Sequence, residues 1–168
     1  MTRKTTTYAR KRRLAVGRER MDGITATRMH TTRLTAPELE RLLRPIQQGL
    51  ARAREGRCSR EDYVSLCTAM HKARAIDDMR IFRGLRAMID AAEEPLKNLE
   101  QRALASGTWC APTLYAAEIT ALDDLVFAYR TMVLEVTYAE FVRADSLAVA
   151  RVASAGGEVL YPAREVHA

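Results

Sequence analysis

Residues 115–136 read YAAEITALDDLVFAYRTMVLEV. Apolar side chains fall at Tyr115, Ile119, Leu122, Val126, Tyr129, Val133 and Val136, always three or four residues apart. That spacing brings each of them to one face of a 3.6-residue helix, so the stretch is an amphipathic helix of about six turns. A strand would alternate every second residue, and this window does not. The stripe is the most regular in the chain, and it requires other helices to cover it.

Working toward the N-terminus, the spacing predicts three more helices. Thr35-Ala36-Pro37-Glu38 is a helix start: a capping hydroxyl, a proline in the first turn, and a carboxylate three residues after the cap. Leu39, Leu43, Ile46, Leu50 and Ala53 then keep phase up to Gly56. Pro45 lies inside this stripe, so a kink is expected there with the helix continuing beyond. A second helix follows Ser59 with Tyr63, Leu66, Cys67, Met70, Ala73 and Ile76 inward. A third carries Leu85, Met88, Ala92, Leu96, Leu99 and Ala103, bent at Pro95 and ended by Gly107. The decisive fourth helix is expected to begin near Pro112. Toward the C-terminus, Thr137-Tyr138-Ala139-Glu140 opens a fifth helix that runs to about Ala155, ahead of Gly156-Gly157.

Five helices on short links form an all-α, antiparallel or partly crossed bundle. The expected organisation is a basic, disordered arm over 1–33, a helical domain over 34–157 and a tail over 158–168. With 168 residues in all, one domain of this kind buries a core without staples. Cys58, Cys67 and Cys110 are an odd number at no zinc-type spacing, and read as reduced thiols of a cytoplasmic protein. No apolar run is long enough for a membrane span, and Leu14-Ala15-Val16-Gly17 is too short for a signal core.

Charge is divided unevenly. Residues 1–33 hold ten basic side chains against two acidic ones, a balance of +8. The remaining 135 residues hold 17 basic and 19 acidic groups, a balance of −2. The net +6 therefore belongs to the arm, where Arg10, Lys11, Arg12, Arg13, Arg18 and Arg20 are the candidate contacts to an acidic protein or to nucleic acid. Up-and-down helices place the start of helix one at the same end as the turn between helices two and three. That turn carries Arg80, Arg83 and Arg86, with Lys72 and Arg74 shortly before, so arm and turn are expected to form one positive surface. Tyr8 is the arm's only aromatic, which argues against base stacking.

Catalytic signals are weak. Cys67 and His71 share a helix face, but two ligands do not make a metal site. The pairs Asp77-Asp78, Glu93-Glu94 and Asp123-Asp124 diverge by about 100° on a helix, so they read as solvated faces that do not converge on one centre. No phosphate loop, nucleophile elbow or zinc-finger spacing occurs. No catalytic residue, metal or cofactor is expected. Trp109, in the link Ser106-Gly107-Thr108-Trp109, is either an anchor whose indole N–H needs a carbonyl or an exposed contact residue.

Three stretches, Leu34-Thr35-Ala36-Pro37, Ala105 to Tyr115 (ASGTWCAPTLY) and Ala155-Gly156-Gly157, resemble small helical proteins encoded in prophages and other mobile elements of proteobacteria. The resemblance spans about residues 33–157. It implies a cytoplasmic bacterial or phage protein that works by binding host or phage machinery, for instance as a host-defence inhibitor. It supplies no catalytic residues. The similar proteins begin close to helix one, whereas some 30 residues precede it here. The arm is therefore either an extension or an over-long start, with Met21 and Met29 as alternatives. The expected function is non-enzymatic protein–protein binding; nucleic-acid-binding regulation through the arm is the alternative, and an enzyme the third reading.

Overall fold

The computed structural model describes residues 32–156, so the arm residues Arg10 to Arg20 and the tail lie outside the described residues. Six helical segments follow in order: α1 Ala36–Arg54, α2 Arg60–Asp78, α3 Arg86–Ala91, α4 Glu93–Ala103, α5 Ala116–Glu135 and α6 Tyr138–Ser154. With α3 and α4 as two parts of one interrupted helix, this is the expected five-helix bundle.

Local capping sets most helix starts. The Thr35 N–H and hydroxyl both donate to Glu38 Oε2, at 2.8 and 2.6 Å, and Thr137 does the same with Glu140 Oε2 at 2.8 Å each. Ser59 and Asp62 form a third box: Ser59 N–H reaches Asp62 Oδ2 at 3.0 Å, and Asp62 N–H reaches Ser59 Oγ at 3.1 Å. Each box satisfies N–H groups that a helix start leaves open. The α1 helix passes through Pro45 unbroken.

Two boundaries differ from expectation. The third helix is not merely bent by Pro95 but interrupted at Ala92, three residues earlier. Pro95 has no N–H for the Ala91 carbonyl and its ring crowds that group, so the strain falls one turn upstream and Pro95 joins the first turn of α4. The fourth helix begins at Ala116, not Pro112, because Glu118 accepts the Tyr115 N–H at 2.9 Å and sets the cap there. Tyr115 consequently lies outside the stripe and is 67% exposed.

The core forms around α2 and α5. Leu66, Ala69, Met70, Ala73 and Ile76 of α2 are buried beneath Leu122, Leu125, Tyr129, Met132 and Val133 of α5 and the inner faces of their neighbours. Leu125, Ala128 and Met132 are buried in addition to the periodic stripe, because α5 packs against α1, α2 and α3 and so shields more than one face. Gly49 of α1 lies so close to α2 that a Cβ there would meet the Asp62 carbonyl oxygen at 3.2 Å. Arg54 pairs with Asp123 and Arg33 with Glu135, so α1 and α5 run antiparallel. Lys72 pairs with Asp145 and Asp78 with Arg151, so α6 runs in the same sense as α2 and the bundle is partly crossed. The chain enters beside the α5–α6 junction, where Tyr138 N–H donates to the Thr32 carbonyl at 2.8 Å and Leu34 is buried.

Candidate interaction surface

The end of α2 is the most unusual backbone in the described chain. Helices commonly stop by placing one residue in the left-handed region, a position that glycine takes without steric cost. Gly56 does this after α1 at φ +68° and Gly156 after α6 at φ +76°. After α2 the same position is held by Arg80 at φ +59°, its N–H bonded to the Asp77 carbonyl at 2.8 Å. A Cβ crowds the carbonyl there at a cost of about 1 kcal/mol. Beyond Arg80, Ile81 is 40% exposed, Phe82 packs against the core, Arg83 is exposed, and Gly84 turns the chain at φ +86° into α3. The outward side of the turn is thus cation, aliphatic, cation.

The other cations expected in this positive surface are already engaged. Arg86 reaches Asp78 Oδ1 at 2.8 Å, Asp77 Oδ2 at 3.3 Å and Asp90 Oδ2 at 2.8 Å. Asp90 first, then Asp78 and Asp77, hold its guanidinium above the ordinary value. Arg74 bridges Asp90 at 2.9 Å and Glu93 at 2.6 Å. Lys97 and then Arg74 pull the Glu93 carboxyl down to about 2. Lys72 sits on Asp145 at 2.8 Å and Arg151 on Asp78. Burial disfavours a charged Asp78, but Arg151 and Arg86 outweigh it and its carboxyl ends lower than usual. Among the described residues the surface therefore contracts to Arg80 and Arg83, which form no ion pair there.

This network also corrects the reading of the acidic pairs. Asp77 and Asp78 diverge around the helix, yet both meet the one Arg86 guanidinium, because a long side chain arriving across the helix end spans the gap. Asp123 and Glu93 are likewise ion-paired rather than simply solvated.

Trp109 stands apart from the turn. Its indole N–H donates to the Cys58 carbonyl at 2.9 Å, and its ring lies 5.4 Å from that of Tyr63, tilted by 45°. These partners sit at the start of α2, and the 19 residues of that helix put Arg80 about 28 Å away at 1.5 Å per residue. Trp109 is half-buried and acts as an anchor for the α4–α5 link. Burial pushes the Cys58 and Cys67 thiols up to about 11, which keeps both protonated and poorly nucleophilic near neutrality. Among the described residues no three metal-ligating side chains gather. Ile81 is the exposed apolar residue of this turn that sequence reading passed over. An apolar residue between two arginines just past the last periodic position of α2 was its available signal.

No helix among the described residues is long and apolar enough to cross a membrane. No family model, curated protein or solved structure matches the chain.

Proposed function

We propose that this is a non-enzymatic accessory protein of a phage or other mobile element, acting by binding a protein of the host or phage machinery. The observation that carries this reading is Arg80 in a backbone conformation where α1 and α6 use glycine. Strained backbone in a folded domain tends to coincide with function, because selection for stability alone removes it. The strain here presents Arg80, Ile81 and Arg83 outward at the end of α2. The antiparallel α1–α2 pair places this turn at the same end as the start of α1, which the basic arm precedes. Nucleic-acid regulation is the weaker reading, because Lys72, Arg74, Arg86 and Arg151 spend their charge on carboxylates within the bundle.

Site-directed photo-crosslinking in the native cell tests it. A photoreactive residue at Ile81 or Arg83 should give a discrete protein adduct, and one at Thr120 of α5 should give none. Adducts at all three positions alike, or only nucleic acid at Ile81 and Arg83, would overturn the reading.

A further inference from the structure

We infer that the segment bound at the α2–α3 turn is an acidic stretch of protein with an aliphatic residue between its carboxylates, a conclusion that rests on the binding role proposed above. Three properties of the turn select this chemistry. Arg80 and Arg83 are exposed guanidinium groups on either side of Ile81, and each can hold a carboxylate by two parallel hydrogen bonds. Ile81 is 40% exposed between them, and an aliphatic side chain laid on it would exclude water from both ion pairs. Phe82, the one aromatic in the turn, packs against the core, so no ring is offered for a base to stack on.

The surroundings select against a polyanion. Duplex DNA carries a charge about every 1.7 Å and is held by rows of free cations. Here the turn is flanked by Asp77, Asp78 and Asp90, whose charges balance Arg86, Arg74 and Arg151. A continuous phosphate backbone would have to run past those carboxylates, and of the turn's own cations only Arg80 and Arg83 are unpaired among the described residues to meet it. A peptide places its few charges where the two cations are and leaves the rest of its length neutral.

Selection of randomised peptides, about 12 residues long and displayed on a carrier, against the full chain tests this. Enriched sequences should share an acid–aliphatic–acid core. Synthetic versions should bind the wild-type chain and lose about ten-fold or more in affinity with Arg83→Ser and with Ile81→Ser, while Thr120→Ser leaves binding unchanged. All three positions are exposed, and circular dichroism verifies that each variant is folded. Enrichment of sequences without acids, no enrichment at all, or binding indifferent to Ile81→Ser would overturn the inference. So would tighter binding of a duplex of about 20 base pairs that the same substitutions weaken. A protein adduct from the crosslinking experiment alongside any of these failures would leave the binding role standing and remove only the acidic-aliphatic partner.

Discussion

Arg102 of α4 and Glu118 of α5 meet side by side, Nη1 on Oε1 at 2.9 Å and Nη2 on Oε2 at 2.7 Å, joining two helices that have few other contacts. Glu118 is 7% exposed, and its Oε2 also accepts the Tyr115 N–H, so one carboxylate both caps α5 and holds α4. The Tyr115 ring covers the guanidinium at 5.0 Å. Removing the charge of Glu118 would leave Arg102 partly buried without its counter-ion. Glu118→Gln should therefore cost about 2 kcal/mol, less than breaking a fully buried pair because Arg102 is partly solvated. Urea unfolding at neutral pH measures this, and a loss under about 0.5 kcal/mol would contradict it.

The same pair sets an acid limit. Burial raises the Glu118 carboxyl, but Arg102 and the Tyr115 N–H outweigh it, so its folded value lies below the ordinary 4.5. With the folded value depressed, the contribution is complete above pH 4.5 and is lost as pH falls through the folded value. Glu118→Gln should flatten this part of the stability–pH curve.

Arg80 gives a test with opposite signs on stability and binding. Arg80→Gly removes the Cβ crowding at φ +59° and should stabilise the chain by about 1 kcal/mol. It also removes one of the two turn cations, so crosslinking from Ile81 should weaken while the melting temperature rises. A fall in melting temperature would show that the Arg80 side chain supports the fold.

His71 predicts a second pH dependence. Burial first and Arg74 second lower its pKa from 6.5; Arg151 acts in the same direction and Glu93 against them. The native state thus favours the neutral ring, and below pH 6.5 the unfolded chain binds more protons. Stability should fall as pH drops below 6.5, through the window between the unfolded and folded values, and be indifferent to this group above it. His71→Gln should remove that slope, which denaturation series at closely spaced pH values would reveal.

Gly49→Ala should destabilise the chain despite the better helix propensity of alanine. The new Cβ would meet the Asp62 carbonyl oxygen at 3.2 Å and Asp62 Cβ at 3.3 Å. Asp62 cannot easily give way, because Ser59 caps it and Arg52 lies 3.5 Å from its other oxygen. A net loss of about 1 kcal/mol is expected, read by thermal unfolding.

The features legible in the chain are those whose partners lie within one helical turn. Thr35 with Glu38 and Thr137 with Glu140 are three residues apart, so residue type and spacing were enough to place two helix starts. The periodicity of residues 115–136 specified a helix and most of its buried face. The contacts that shape the candidate surface span longer intervals. Arg86 closes on Asp77 and Asp78 across a turn, and Arg151 reaches Asp78 from a helix more than 70 residues later in the chain. Apart from Arg86 with Asp90, four residues apart in α3, no local pattern encodes which of these charges will be neutralised, because that depends on which helices meet. Sequence alone therefore determined an all-helical chain with its charge excess in the arm. The packing of α2, α3 and α6 decided that, in the described body, the positive surface expected around Arg80 to Arg86 contracts to Arg80 and Arg83: Arg86 folds back onto Asp77 and Asp78, and α6 brings Asp145 to Lys72, since ion pairing follows distance in space and not separation along the chain.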